Sequence, residues 1–348
     1  MLSGIEPNSA WIRFTAAIST VLLLLTSCES VIELPGQKDG YFAKGMNIFF
    51  MTTRNKFNSD EFSRALEQLS SIGINTVFLI TFHYLKNETS DSIYSSYETV
   101  SDSTLEEIIN LTISKGLQPV LKPHIDLENG KFRYQIDPDN YSRWVASYKK
   151  VLVGYLNLSK KYNLGHFVIG TELDKVADSE EFHKFIDKDV RTIYDGQLIY
   201  SSSFDHYLST SIWKHVDIIG INTYFNLCRS NHCTPSELTE SWNYWLDHLN
   251  SFSTSKGKPV YITEIGYYSR EGCAINPGDW SIGGAINYKE QAKSYESFLC
   301  QYSEFTNIQG AFWWQWELNN PWDNDSADYT PHNKPAEEII RRYWGSDD

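Results

Sequence analysis

The sequence is short of positive charge. It contains 30 Lys and Arg residues against 44 Asp and Glu residues, which gives a formal net charge of −14 at pH 7. Proteins that bind nucleic acids use Lys and Arg to neutralise phosphates. This composition therefore argues against nucleic acid as a partner, and a neutral polymer fits it better.

Several catalytic motifs are also missing. The chain has no Gly-x-Ser-x-Gly nucleophile elbow, no His-Glu-x-x-His zinc motif and no P-loop. Acyl transfer, zinc proteolysis and phosphoryl transfer lose support as a result. None of the predicted strand ends carries the Gly-rich turn that binds a dinucleotide. We expect no cofactor.

The apolar stretch near the N-terminus is too short to span a bilayer by itself. It covers residues 14–25, follows Arg13 and ends in Leu25-Thr26-Ser27-Cys28, which resembles a bacterial lipobox. We expect residues 1–27 to be a signal peptide, Cys28 to carry a lipid, and residues 28–40 to be a tether. The protein would then be an exported bacterial lipoprotein, anchored in a membrane on the periplasmic side or at the cell surface. An ordinary signal peptide with an incidental cysteine is the alternative.

Cysteine is scarce, and its number supports export. Of five cysteines, four remain after Cys28, and an even set in an exported chain predicts two disulfides. Cys228 and Cys233 could close a small loop, which leaves Cys273 to pair with Cys300. A zinc site is the rival interpretation, but the spacings lack paired Cys-x-x-Cys motifs, so we expect no metal.

Aromatic residues, by contrast, are abundant. They make up 15% of the chain, including 11 Trp and 22 Tyr. Many of them could belong to the core. Trp and Tyr also offer flat apolar faces with a polar edge, which suit the binding of sugar rings.

Short apolar runs alternate with amphipathic helical patterns from residue 41 onwards. The predicted strands cover residues 41–50, 76–82, 118–124, 166–172, 197–201, 217–222, 260–264 and 308–316. A capping-box pattern at Asn58 predicts the start of the first helix, and another at Ser103 predicts the start of the second. Eight such units in about 300 residues predict an α/β fold of the (β/α)8 TIM-barrel type, with residues 41–348 as a single catalytic domain. An open doubly wound sheet is the alternative.

Two of the predicted strands end on a glutamate, namely Glu172 and Glu264. In a parallel barrel the carboxyl ends of the strands meet at one face, so these two acids should face a common cavity. Glycoside hydrolysis needs such a pair, because one acid protonates the departing oxygen and the other attacks the anomeric carbon or activates water. The simpler alternative is that each glutamate pairs with a buried Lys or Arg.

Several motifs make a specific resemblance. They are Lys44-Gly-Met-Asn47, Leu121-Lys-Pro-His-Ile-Asp126, Phe132-Arg133, Gly170-Thr-Glu-Leu173, Thr263-Glu-Ile-Gly-Tyr267 and Asn333-Lys-Pro-Ala-Glu337. Together they are similar to glycoside hydrolase family 113 of the retaining clan A, over about residues 41–344. The resemblance implies a β-1,4-mannan-degrading enzyme with Glu172 as acid/base and Glu264 as nucleophile. Thr171 stands where many clan members have an asparagine that contacts the sugar 2-hydroxyl, so that hydroxyl must be recognised elsewhere.

Other polar and aromatic residues at the strand ends are candidates for substrate binding. They are Asn47, Lys122, His124, Asp126, Arg133, Asn222, Tyr224, Trp314 and Trp316. Tyr224 resembles the clan tyrosine that hydrogen-bonds the nucleophile, with core packing as the alternative. A structural Lys122–Asp126 pair beside a core histidine is the alternative for the third strand, and barrel packing is the alternative for each tryptophan.

Two other functions stay open at this stage. The chain could be a clan A glycosidase that acts on another β-glycan, which the Thr171 departure allows. It could also be a non-catalytic surface lipoprotein that binds glycans, although the presence of both glutamates disfavours this. The expected partner is in each case a β-linked polysaccharide or oligosaccharide.

Overall fold

The computed structural model describes residues 41–51, 56–230, 233–281, 283–318 and 327–345, all within one compact unit. The predicted signal peptide, Cys28 and the tether lie outside the described residues. Within the described residues, no helix is long and apolar enough to cross a membrane.

The described strands form a closed parallel barrel in which each strand pairs with its neighbours in sequence and β8 pairs with β1. This confirms the predicted (β/α)8 fold. The strands are β1 (Ala43–Phe49), β2 (Thr76–Leu85), β3 (Gln118–Leu127), β4 (His166–Thr171), β5 (Gln197–Ser203), β6 (Ile218–Asn222), β7 (Val260–Ile265) and β8 (Ile308–Trp313).

Helices follow the strands and cover the outside of the barrel. They are α1 (Ser59–Ser71), α2 (Asp102–Ser114), α3 (Tyr141–Lys161), α4 (Asp174–Ala177), α5 (Glu180–Phe185), α6 (Arg191–Ile193), α7 (Pro235–Lys256), α8 (Tyr288–Leu299) and α9 (Pro335–Trp344). Short 3-10 turns lie at Arg133–Gln135, Ile212–Lys214 and Tyr302–Glu304, and a π turn lies at Ile186–Val190.

The lower part of the barrel is filled by one buried side chain from every strand. These side chains are Ala43, Phe78, Val120, Val168, Ile199, Ile218, Tyr261 and Phe312. Phe78 and Phe312 stack at a ring distance of 3.6 Å. The Phe312 ring also takes the space beside Gly45, where a methyl group would lie 2.1 Å from it. The barrel is therefore a packed core below and can open only at the carboxyl ends of its strands.

Some predicted boundaries were wrong. Helix α2 begins at Asp102, directly after the Ser101 that caps it, because the Ser101 hydroxyl accepts the Thr104 backbone N–H. The predicted capping box at Ser103 therefore lies inside the helix. Strands β2 and β3 continue three residues further than predicted, since they pair with each other as far as Leu85 and Leu127.

The two predicted disulfides have different outcomes. Cys228 and Cys233 are bonded, with a Cα–Cα distance of 6.0 Å. Neither Cys273 nor Cys300 forms a disulfide, so that predicted pair was wrong. The Cys273 sulfur lies beside the Ser294 hydroxyl at 4.0 Å. Ser294 precedes Cys300 by six residues, which corresponds to about 9 Å along a helix.

Candidate active site

Glu264 reaches the cavity through an irregularity in β7. The pairing register between β6 and β7 shifts between Ile221 and Asn222, so that Asn222 pairs with Glu264 and Thr263 is an extra residue. Such a bulge breaks the alternation of side chains along a strand. Thr263 and Glu264 consequently both point into the barrel, while Ile262 and Ile265 pack outside it.

Two donors bind the Glu264 carboxylate. The Lys122 Nζ lies 2.6 Å from one oxygen, and the Tyr224 hydroxyl donates to the other at 2.9 Å. Glu264 is 4% exposed and Lys122 is fully buried. Both contacts stabilise an anion at Glu264. The predicted alternative, a glutamate paired with a buried lysine, is therefore part of the arrangement, and Lys122 pairs with Glu264 rather than with Asp126.

Glu172 follows directly after β4 with a left-handed backbone, at φ 51°. A residue other than glycine rarely adopts this conformation, and such strain is found mainly at functional sites. The Glu172 backbone N–H donates to the Ser201 carbonyl, and the next N–H, of Leu173, donates to the Tyr200 hydroxyl. These bonds to β5 hold the strained turn and direct the carboxyl group toward β6.

The Glu172 carboxyl group has a perturbed proton affinity. Burial raises the pKa of Glu172 to about 7, and the nearby Glu264 carboxylate adds to the rise. The positive charge of Arg133, the hydrogen bond from Asn222 and the charge of Lys122 oppose it. At neutral pH Glu172 can therefore both hold and release a proton, which is the property that an acid/base catalyst needs.

Asn222 binds and orients the Glu172 carboxyl group. Its Nδ2 donates to Glu172 at 2.9 Å, and its Oδ1 accepts from the Ser201 and Thr263 hydroxyls at 2.8 and 2.9 Å. Because two hydroxyls occupy the oxygen side, the amide nitrogen must face Glu172. The orienting role of Ser201 and Thr263 was not predicted, although both occupy inward positions beside Asn222 on neighbouring strands.

Arg133 and Asp126 form the outer edge of the site. Arg133 donates to Asp126 through Nε and Nη2, at 3.2 and 2.6 Å, and its Nη1 lies 3.6 Å from Glu172. Burial lowers the pKa of Arg133, but the Asp126 and Glu172 carboxylates outweigh this effect and raise it overall. A fixed cation therefore lies next to the Glu172 carboxyl group.

Trp314 and His124 line the cavity on the side of β8 and β3. Their rings are nearly parallel at 6.3 Å, and the Lys122 ammonium lies 5.8 Å from the Trp314 ring centre. His124 is fully buried, and among the described residues neither of its ring nitrogens has a hydrogen-bond partner. Burial, together with the charges of Arg133 and Lys122, lowers the pKa of His124 well below its usual value. Its ring is thus neutral, with one nitrogen a donor and the other an acceptor, and neither is satisfied by the described residues.

The other two predicted substrate-binding residues lie differently. Asn47 is fully buried and donates to the carbonyls of Thr263, Phe312 and Trp313, while its oxygen faces Lys122 at 3.4 Å. It therefore holds β7, β8 and Lys122 together below the site.

Trp316 is also fully buried, and its ring stacks on His332 at 4.2 Å. Trp316 presents no free face to a sugar, in contrast to the partly exposed Trp314.

The chain matches known proteins over most of its length. The family model of glycoside hydrolase family 113 matches residues 46–334. The structure of a family 113 β-1,4-mannanase is similar to this chain, at 24% identity and a TM-score of 0.77. The match covers 87% of this chain and 99% of the mannanase chain. The structure of a family 113 β-mannanase from Alicyclobacillus acidocaldarius in complex with ManMIm is also similar. The match covers 88% of this chain and 98% of the mannanase chain, at 23% identity and a TM-score of 0.77.

More distant similarity reaches other glycosidases. A β-glucuronidase from Faecalibacterium prausnitzii covers 87% of this chain and 49% of its own, at 13% identity and a TM-score of 0.59. At such identities the structural similarities show the fold. No curated protein sequence matches the chain.

Proposed function

This chain belongs to glycoside hydrolase family 113 and is a glycoside hydrolase, and on that premise we propose that it cleaves β-1,4-mannosidic bonds with retention of configuration. The substrates would be mannan, glucomannan or mannooligosaccharides. The observation that carries the proposal is the contrast between the two acids. Lys122 and Tyr224 stabilise the Glu264 anion, while burial raises the pKa of Glu172 to about 7.

The contrast assigns the two steps of a double displacement. In the first step the Glu264 carboxylate attacks the anomeric carbon, and Glu172 gives its proton to the departing glycosidic oxygen. In the second step Glu172 takes a proton from water, the water oxygen attacks the same carbon, and Glu264 leaves as a carboxylate. Retention requires carboxyl groups about 5 to 5.5 Å apart, and we expect that separation here.

Buried polar atoms around the cavity are candidates for hydrogen bonds to the sugar hydroxyls. The Thr171 hydroxyl and both His124 ring nitrogens have no hydrogen-bond partner among the described residues. An unpaired buried polar group costs free energy, which a ligand hydroxyl can offset. We therefore expect these atoms, with Asn222 and Trp314, to bind the sugar at the cleaved bond. They would replace the asparagine that many clan members have before the acid/base.

The support for mannan is the family and the two similar structures named as mannanases. Product analysis on mannan, glucomannan, mannooligosaccharides and cellulose tests it. We expect cleavage of β-1,4-mannosidic bonds, with the β-anomer appearing first in the proton NMR spectrum of a mannooligosaccharide digest. Cleavage confined to cellulose would favour another β-glycan, and an α-anomer appearing first would indicate inversion. Binding without hydrolysis on the whole panel would favour a non-catalytic glycan-binding protein.

We also propose that the protein is exported and lipid-anchored through Cys28. The support is the apolar stretch at residues 14–25 and the lipobox-like Leu25-Thr26-Ser27-Cys28. Mass spectrometry of the protein from its membrane fraction should show a lipid-modified N-terminal peptide beginning at Cys28. A Cys28→Ser variant found in the same fraction with the same mobility would contradict this.

A further inference from the structure

Three exposed aromatic rings lie together outside the catalytic pair. Phe132, Tyr134 and Trp280 are 48%, 45% and 57% exposed. Phe132 and Tyr134 are nearly parallel at 5.6 Å, and Phe132 and Trp280 are inclined at 60° with centres 5.5 Å apart. We call this group the mouth platform.

The mouth platform crosses the opening of the barrel. Phe132 and Tyr134 lie in the loop after β3, and Trp280 lies in the loop after β7. In the closed ring of eight strands, β3 and β7 stand opposite each other. A contact between these two loops therefore spans the face at which the strands end.

The loop after β3 is held in place by several hydrogen bonds. The Phe132 N–H donates to the Gln135 side chain, and the Gln135 N–H donates to the Phe132 carbonyl. The N–H groups of Asp137 and Asp139 donate to carbonyls in the loop after β2. The backbone that carries the two rings is thus positioned before any ligand arrives, which lowers the entropy cost of binding.

Both sides of the mouth platform adjoin the catalytic pair. Arg133, between the two ring-bearing residues, reaches the Glu172 carboxyl group at 3.6 Å. On the other side, Gly278 lies close to Tyr224, so that a methyl group at Gly278 would be 3.4 Å from the Tyr224 Cβ. Tyr224 binds Glu264. A chain bound at the two glutamates would therefore pass next to these rings.

We propose that the mouth platform binds the sugar unit on the leaving-group side of the cleaved bond. The proposal rests on the proposed function, because it assigns Glu172 as the acid beside the departing oxygen. The residue that flanks this acid, Arg133, carries a ring on either side of it in the sequence. Exposed aromatic faces suit the apolar faces of a neutral β-linked pyranose.

The experiment compares substrates that do and do not reach the mouth platform. The value of kcat/KM is measured for mannotetraose and for β-mannosyl fluoride, whose single-atom leaving group does not reach the platform, in the wild type, Trp280→Ala and Phe132→Ala. We expect the ratio of tetraose to mannosyl fluoride to fall about tenfold in each variant, as for the loss of one aromatic anchor. Tyr244→Ala, which removes a 61% exposed ring on α7, is the matched control and should keep the ratio.

A second measurement identifies the side. When mannotriose is added to the glycosyl-enzyme, its hydroxyl attacks the anomeric carbon, Glu172 takes the proton, and Glu264 leaves. This acceptor must occupy the leaving-group side. Trp280→Ala should therefore form less transfer product relative to hydrolysis than the wild type does. The proposal would be overturned if the ratio of the two kcat/KM values were the same in Trp280→Ala as in the Tyr244→Ala control. It would also be overturned if the share of transfer product were unchanged.

The two proposals fail separately. If the wild type hydrolyses neither substrate, the proposed function is wrong. The mouth platform is then tested by calorimetry with mannotetraose and cellotetraose. About tenfold weaker binding by Trp280→Ala than by Tyr244→Ala would still support it. Equal affinities, or binding by neither variant nor wild type, would overturn it.

Discussion

At the scale of single residues, the environment of Glu172 decides the expected pH dependence. Its pKa is raised to about 7, first by burial and then by the Glu264 carboxylate. A general acid must be protonated, so activity is present below that pKa and falls as pH rises through it. We expect the alkaline limb of the kcat/KM profile near pH 7, measured on an oligosaccharide whose leaving group requires protonation.

Arg133 allows this assignment to be tested further. Its positive charge lowers the pKa of Glu172, so Arg133→Met should raise that pKa and move the alkaline limb to higher pH. Arg133→Lys keeps a charge and should move the limb less. If the alkaline limb of the kcat/KM profile has the same pKa in Arg133→Met as in the wild type, a group other than Glu172 controls it. This holds whatever happens to the maximal rate.

The residue scale is also where sequence patterns predicted most of the chemistry. The two glutamates, Lys122, Tyr224 and Asn222 were predicted from their places at strand ends, and the structure brings them together. Their partners could not be predicted in the same way. Lys122 has several acidic neighbours in such a barrel, and only the three-dimensional arrangement places its ammonium on Glu264 rather than on Asp126.

At the scale of elements, irregular backbone limits what the sequence can show. Strict alternation along β7 would place Thr263 and Glu264 on opposite faces. The bulge places both inside, and the residue types of Val260-Tyr-Ile-Thr-Glu-Ile265 carry no signal for it. The left-handed Glu172 is a similar case, since glutamate has no preference for that conformation.

The packed interior of the barrel gives a prediction about β1. An added methyl group at Gly45 would lie 2.1 Å from Phe312, whose ring is fixed against Phe78. Gly45→Ala should therefore lower the free energy of unfolding by about 1–3 kcal/mol or more. Urea denaturation followed by tryptophan fluorescence measures this.

The matched control is Gly154→Ala in the middle of α3, where no atom lies within 4 Å of the added methyl group. Alanine favours a helix over glycine, so this variant should gain about 0.5–1 kcal/mol. Equal effects at the two positions would show that Phe312 does not fill the barrel as described.

The loop after β7 and helix α8 give a prediction about the cysteines. Cys273 and Cys300 are not disulfide-bonded, whereas Cys228 and Cys233 are bonded to each other. Alkylation under denaturing, non-reducing conditions should therefore label the Cys273 and Cys300 peptides and leave the other two linked. Mass spectrometry distinguishes these species. A linked pair of Cys273 and Cys300 peptides would restore the pairing that the number of cysteines predicts.

At the scale of the whole molecule, the repeated strand–helix pattern was sufficient for the fold. Apolar runs bounded by caps and glycines predicted all eight strands within a few residues, because a parallel strand buried on both faces is continuously apolar. The order of the strands follows from the barrel itself. The contact between Phe132 and Trp280 could not be predicted, because it joins loops that are far apart in sequence and depends on their length and direction.

The proposed mechanism depends above all on the division of roles between Glu172 and Glu264. Azide separates the roles, because it replaces whichever carboxylate has been removed. In Glu264→Ala the nucleophile is absent, so azide attacks from the vacant face and gives an α-glycosyl azide. In Glu172→Ala an activated aryl β-mannoside still forms the glycosyl-enzyme, because its leaving group needs little protonation. Azide then attacks that intermediate and gives a β-glycosyl azide.

The most direct measurement is therefore the anomeric configuration, by NMR, of the azide product from each alanine variant with an aryl β-mannoside. The proposed mechanism predicts an α-glycosyl azide from Glu264→Ala and a β-glycosyl azide from Glu172→Ala. The opposite configurations would exchange the two roles. Full activity of either variant without azide would remove that glutamate from the mechanism.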